Sequence, residues 1–172
     1  MSKNKKKNTR WSTSRKKTYE GITFQSGLEL YMYKALKAAN IDFSYEGKSY
    51  TLLKESEYKG DCFERFTKKS KQLKIRNKIR LSIYTPDFIG VGDKWIIETK
   101  GFAIQPFPLK WKMFKQLMSK RKNPPLLLMP KNQKDCDQTV NILLERGFGN
   151  SNKGADLLYI NIKKRETNGR RR

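Results

Sequence analysis

The chain has 172 residues, enough for one domain with a real core and cramped for two. Its 39 Lys and Arg against 16 Asp and Glu leave a formal charge of +23, so it is drawn to polyanions, with nucleic acid ahead of a membrane surface as partner. No stretch has the apolar length to span a bilayer, and histidine is absent, which excludes serine triads, histidine-centred nucleases and histidine zinc sites.

What remains for catalysis is carboxylates, lysine and a hard cation held by oxygen ligands. Cys62 and Cys136 stand far apart without the spacing of a zinc site or a disulfide framework, and are read as packing or surface residues. The basic N-terminus is not followed by an apolar segment, so the expected location is the cytoplasm.

Residues 1–17 carry eight Lys or Arg, no acid and almost no apolar side chain, which predicts a flexible basic arm over 1–19. It serves as a solubilising tail or as a phosphate-binding arm. Order is expected near Thr23. Ser26 and Glu29 then fit a capping box at the start of a helix whose apolar residues, Leu28, Tyr31, Met32, Ala35, Leu36 and Ala39, recur at helical spacing up to Asn40. The plain role for the Glu29 carboxylate is to reach back to the cap. Ile41, Phe43 and Tyr45 alternate with polar residues, as in a strand with one buried face, and residues 49–53 extend it or pair with it.

Residues 54–80 are expected to form an irregular, partly extended basic insertion. Lys68, Lys69, Lys71, Lys74, Arg76, Lys78 and Arg80 follow Arg65 there with no acid among them, and Leu73, Ile75 and Ile79 keep no clean period. These seven cations and Ser26 are the candidate nucleic-acid contacts; the bland alternative is a solvated loop.

Two runs rich in β-branched and aromatic residues follow, at 83–89 and 94–100, around Gly90-Val91-Gly92-Asp93, and together they predict a hairpin. With a turn near Gly92, Asp87 lies opposite Ile97 or Glu98. Facing Cβ atoms are then about 5 Å apart, close enough for two carboxylates to share a divalent cation. Glu98 and Lys100 point to one face because they are two apart on a strand. Without a cation the same pattern describes charges on a solvated surface hairpin.

Further on, 108–120 reads as a helix with Lys110, Lys112 and Lys115 outward, 125–129 as a strand covered on both faces, the segment around Val140 and Leu143 as a helix ending near Gly147, and 157–162 as a last strand. Residues 163–172 form a basic tail. Helices and strands in this order imply one α/β domain over 20–162, a mixed sheet with helices packed on it.

Pro86-Asp87 followed by Glu98-Thr99-Lys100 resembles the PD-(D/E)XK nuclease signature. The blocks Phe-Gln-Ser-Gly-Leu-Glu at 24–29, Ile-Asp-Phe-Ser-Tyr-Glu at 41–46, Tyr-Thr-Pro-Asp-Phe at 84–88 and Glu-Thr-Lys-Gly at 98–101 resemble, in the same order, the motifs of the phage endonuclease I family of Holliday junction resolvases. The resemblance implies a restriction-endonuclease-like core and cleavage of four-way or otherwise branched DNA. It implies Mg2+ or Mn2+ held by Asp87, Glu98, the Thr99 carbonyl and Glu29, with Lys100 assisting the attacking water, no small-molecule cofactor, and a homodimer with two symmetric sites. The segment between Glu46 and Tyr84 is longer and more basic than the family's bridge, which leaves open whether Glu29 serves its own chain or a partner's. The competing readings are a PD-(D/E)XK enzyme with restriction-like or transposition-linked targeting, and a non-catalytic basic protein that coats nucleic acid.

Overall fold

The computed structural model describes residues 15–149, apart from 66, 68, 70 and 102–105. Most of the N-terminal arm, Lys68, the strand expected at 157–162 and the tail at 163–172 lie outside the described residues. Order begins before Thr23, with a small hairpin of β1 (Lys17–Tyr19) and β2 (Ile22–Phe24). Its two-residue turn, Glu20-Gly21, takes positive φ at both positions, the geometry that matches the twist of paired strands.

Helix α1 (Gly27–Ala38) starts where the capping pattern places it, with the Ser26 Oγ accepting the Glu29 backbone N–H at 3.1 Å. It stops at Asn40, whose φ of 51° carries the chain out of the helix. The chain then runs through β3 (Phe43–Tyr45), β4 (Tyr50–Leu53), β5 (Ser56–Glu57), β6 (Phe63–Glu64), β7 (Lys74–Ile75), β8 (Lys78–Ile79), β9 (Ser82–Tyr84) and β10 (Phe88–Gly90). A single 3-10 turn at Val91–Asp93 leads to β11 (Trp95–Ile97), followed by α2 (Phe107–Ser119), β12 (Leu126–Leu128) and α3 (Gln133–Glu145).

The central sheet has the order β12-β11-β10-β3, with β11 and β12 parallel and the other neighbours antiparallel. The fold is thus mixed α/β, and strand alternation divides its core in two. Phe88, Trp95 and Ile97 face α1 and α3, where Met32, Leu36, Val140 and Leu143 are buried. Ile89 and Ile96 face the opposite way, onto Phe114 and Met118 of α2 and onto Tyr50 and Tyr84. Trp95 lies so close over Gly90 that any side chain at 90 would overlap its indole ring.

Two expectations for the sheet are corrected. The run at 83–89 is two strands in different sheets, because Pro86 has no N–H to continue a ladder and the chain changes partners across Thr85–Asp87. Strand β12 is only half-buried rather than covered on both faces, since among the described residues it is the edge strand. Helix α3 ends as expected, with Gly147 at φ 77°.

The basic insertion is partly extended, as expected, and β4 pairs with β9 rather than joining β3. With β5 paired to β8 and β6 to β7, all antiparallel, the described residues of 50–84 form a two-stranded ribbon in three short pieces. A bulge between Thr51 and Leu53 and an extra loop at 59–61 interrupt its outgoing side, while the returning side runs on. Its root is pinned by one carboxylate. Asp93, in the hairpin turn, takes Lys48 at 2.6 Å, both terminal nitrogens of Arg121 at 3.3 Å and the Tyr50 hydroxyl at 3.4 Å. These contacts hold the Asp93 carboxyl below its usual range, the Lys48 hydrogen bond most of all. No helix among the described residues is long and apolar enough to cross a membrane.

Candidate active site

Phe88 pairs with Ile97 and Ile89 with Ile96, so one further step along the ladder sets Asp87 opposite Glu98. The hairpin turn has the length that this register needs, with Gly92 at φ 68° supplying a left-handed residue at low cost. By alternation both carboxylates share the face of Ile89 and Ile96, towards α2. Glu98 is 3% exposed and Thr99 4% exposed, which rules out a hairpin that merely displays charge to water. Glu98 and Lys100 are anchored through their backbone N–H groups, to the Leu128 and Pro130 carbonyls at 3.0 Å each.

Each acid is gripped on one oxygen by a hydroxyl group. The Tyr84 hydroxyl donates to Glu98 Oε2 at 2.7 Å, and the Thr99 hydroxyl to Asp87 Oδ2 at 2.6 Å, joined there by the Thr99 backbone N–H at 2.6 Å. The Tyr45 hydroxyl donates to Glu29 Oε2 at 2.8 Å, and the Gln25 backbone N–H reaches the same oxygen at 2.8 Å. Glu29 therefore does reach back towards the start of its helix, although to the residue before the cap. Lys100 Nζ stands 3.5 Å from Glu98 Oε1 and 4.7 Å from the centre of the Phe107 ring.

Among the described residues the remaining oxygens of Asp87 and Glu29 have no hydrogen-bond partner and no buried side-chain oxygen lacks one, so both oxygens keep some exposure there. Burial pushes the Asp87 carboxyl up to about 8, helped by the facing charge of Glu98 and opposed by the Thr99 hydrogen bonds. Burial also raises Glu98, against the pull of Tyr84 and Lys100. The hydroxyls of Tyr45 and Tyr84 are raised as well, by desolvation first and by the carboxylates they serve.

Such a pair repels itself and invites a cation. The donor set, hard oxygens with no histidine or thiolate, suits Mg2+ or Mn2+. Asp87 and Glu98 are the groups that would hold it, with Glu29 near enough to raise both their proton affinities. Among the described residues no three Asp, Glu or Cys side chains are gathered into a ready metal cage, and Glu29 is turned to Tyr45 and Gln25 instead.

The remaining candidate residues are distributed unevenly. Ser26 is taken up as the helix cap. Lys69, Lys71, Lys74, Lys78 and Arg80 are exposed, on or beside the ribbon strands. Arg76 and Lys78 are engaged with the ribbon's own Glu64 and Glu55, at 3.3 Å and 2.9 Å. Tyr45 and Tyr84, the hydroxyls that orient two of the three acids, were not singled out in sequence. Their one signal is position, since each lies within a motif block of the family resemblance. No family model, curated protein or solved structure matches this chain.

Proposed function

We propose that the chain is a metal-dependent, structure-selective endonuclease with a PD-(D/E)XK site, cutting Holliday junctions and other branched DNA. One observation carries the reading. Two acids, Asp87 and Glu98, face each other at the end of a buried hairpin, with a lysine beside Glu98, in a chain of charge +23. A non-catalytic coat protein would need the charge and has no use for an acid pair buried at such cost.

The reaction is hydrolysis of a phosphodiester. Water attacks phosphorus, the bond to the leaving sugar oxygen breaks, and the water's proton ends on that oxygen. A bound Mg2+ or Mn2+ would lower the pKa of water and offset charge on the phosphate. Asp87 and Glu98 would hold the ion, each with one oxygen fixed by Thr99 or Tyr84 so that the other stays aimed. Lys100 brings a cation to where negative charge grows in the transition state, and Phe107 limits the orientations of its ammonium. Glu29 supplies a third acid once its grip on Tyr45 and Gln25 loosens. A homodimer would give the paired sites that opposed strands of a junction require.

The test is incubation of the chain with a four-way junction or a matched linear duplex, in Mg2+ or in chelator. Cleavage confined to the junction and to Mg2+ is the expected result. Equal cutting of linear duplex would point to a PD-(D/E)XK enzyme with other targeting, and binding without cutting in any metal would sink the enzymatic reading.

A further inference from the structure

Helix α2 carries aromatic rings at Phe107, Trp111 and Phe114, a spacing that sets all three on one side of the helix, against the core around Tyr50 and Tyr84. Burial falls off along this stripe. Phe114 and Met118 are sealed in the core, whereas Trp111 and Phe107, nearer the start of the helix, are half-buried. The Phe107 and Trp111 rings are 18° from parallel with their centres 6.3 Å apart, so their faces look in one direction. The Trp111 ring also stands 6.2 Å from that of Tyr84, whose hydroxyl holds Glu98. Lys100 joins the stripe to the acids, its Nζ lying 3.5 Å from Glu98 Oε1 and 4.7 Å from the centre of the Phe107 ring. That face of Phe107 therefore carries a lysine side chain that is itself 37% exposed, rather than a core residue.

We propose that Phe107 and Trp111 form a stacking platform for one nucleobase whose face is left open at a branch in the DNA, with the neighbouring phosphate at the acid pair. Inside a duplex both faces of a base are covered by its neighbours, and a protein ring finds nothing to stack on. At a branch the stack is broken and a face is free to meet an aromatic side chain. Distance and charge select this occupant. Through Lys100 the Phe107 ring lies within one nucleotide's reach of a phosphate at Glu98, and the chain has a formal charge of +23, with Lys112 and Lys115 exposed on the same helix. On binding, the Lys100 ammonium turns from the ring to the phosphate, and the base takes the face it leaves. Every base has a π-face, so the platform selects for a broken stack and not for sequence. The inference rests on the nuclease reading for what lies at the acids, and it names the feature of a branched substrate that the site recognises. Stacking is measured without cleavage, so the two fail separately.

Of the three tryptophans, Trp95 is buried and Trp11 precedes the described residues, so the full chain carrying Trp11→Phe keeps Trp111 as its accessible reporter. In chelator, titration with a short oligothymidylate should quench its tryptophan emission to saturation. Phe107→Leu/Trp111→Leu, which keeps apolar bulk but removes both π-faces, should bind labelled oligothymidylate about tenfold more weakly by anisotropy, with blunt linear duplex bound as before. Phe107→Leu alone should shift affinity the same way and covers the case in which the double variant does not fold; Phe107→Tyr, which keeps the ring, should restore most of the affinity. Leu109→Ala, at a 59% exposed apolar neighbour on the same helix, should leave both affinities unchanged. In Mg2+ the preference for a four-way junction over linear duplex should fall about tenfold in the leucine variants. Absence of quenching, leucine variants that hold oligothymidylate as tightly as wild type, or equal losses for oligothymidylate and duplex would each overturn the inference. Junction cleavage with its preference unchanged in those variants would overturn it too and leave the nuclease reading standing. If quenching and its loss are seen in chelator yet no DNA is cut in Mg2+, the nuclease reading falls and the platform stands.

Discussion

The acid site and the ribbon differ in how they satisfy their polar groups. At the end of β10 and β11, where Glu98 and Thr99 are almost fully buried, Asp87, Glu98 and Glu29 are each held by named donors. On the ribbon most of the described cations are exposed, and the ion pairs of Lys78 with Glu55 and Arg76 with Glu64 are half exposed. Removing a partner at the buried end strands a desolvated group, whereas on the ribbon water replaces it. The proposed chemistry would thus use the costly positions, while the ribbon holds those where single changes leave the fold intact.

The sharpest break in this contrast is expected from Glu98→Gln, which should lower junction cleavage roughly 10^3-fold while leaving DNA affinity within a few-fold, measured by single-turnover kinetics and anisotropy. Behind the site, Gly90→Ala forces a methyl group into the Trp95 ring and should cost about 3 kcal/mol in a denaturant melt, against less than about 0.5 kcal/mol for Lys74→Ala on the ribbon.

Tyr84→Phe removes one grip on Glu98 while keeping the ring packed at a tilt against Phe114. A loss of about 10-fold in apparent Mg2+ affinity, read from the metal dependence of the rate, is expected with junction binding unchanged.

The acid pair also sets a pH dependence. The Asp87 carboxyl is raised to about 8 in the fold, so the folded state binds the proton more tightly than the unfolded chain. Its protonation stabilises the metal-free protein at low pH, and that contribution is lost as pH rises through 8. Melting temperature in chelator should fall as pH rises from the ordinary carboxylate range towards 8 and level off above it, and Mg2+ should recover it at the upper end; a flat profile in chelator would count against burial of the pair. The smallest effect is expected at the ribbon's exposed ion pair, where Glu55→Gln should change stability by no more than about 0.5 kcal/mol.

Local signals made much of this legible. The Ser26 cap, the Asn40 stop and the register of Asp87 against Glu98 depend on neighbours in sequence, and each is found where the residues put it. What escaped depends on distant partners. The run at 83–89 is continuously apolar and β-branched, and nothing local says that its two ends serve different sheets, although Pro86 is the weak point. The alternation from Leu73 to Ile83 is hidden by Asn77 in the apolar row and by a cation density that reads as a loop. Tyr45 and Tyr84 look like ordinary core aromatics until β3 and β9 fold against the acids.

The single carboxylate of Asp93 has a mechanical consequence. It joins the hairpin turn to Lys48 and Tyr50 at the ribbon's root and to Arg121 just beyond α2, so three parts of the chain share one pivot. Because all of these contacts end on the same oxygen, Oδ2, loss of that carboxylate would release all three parts at once, whereas loss of Lys48 or of Arg121 alone would leave the others held.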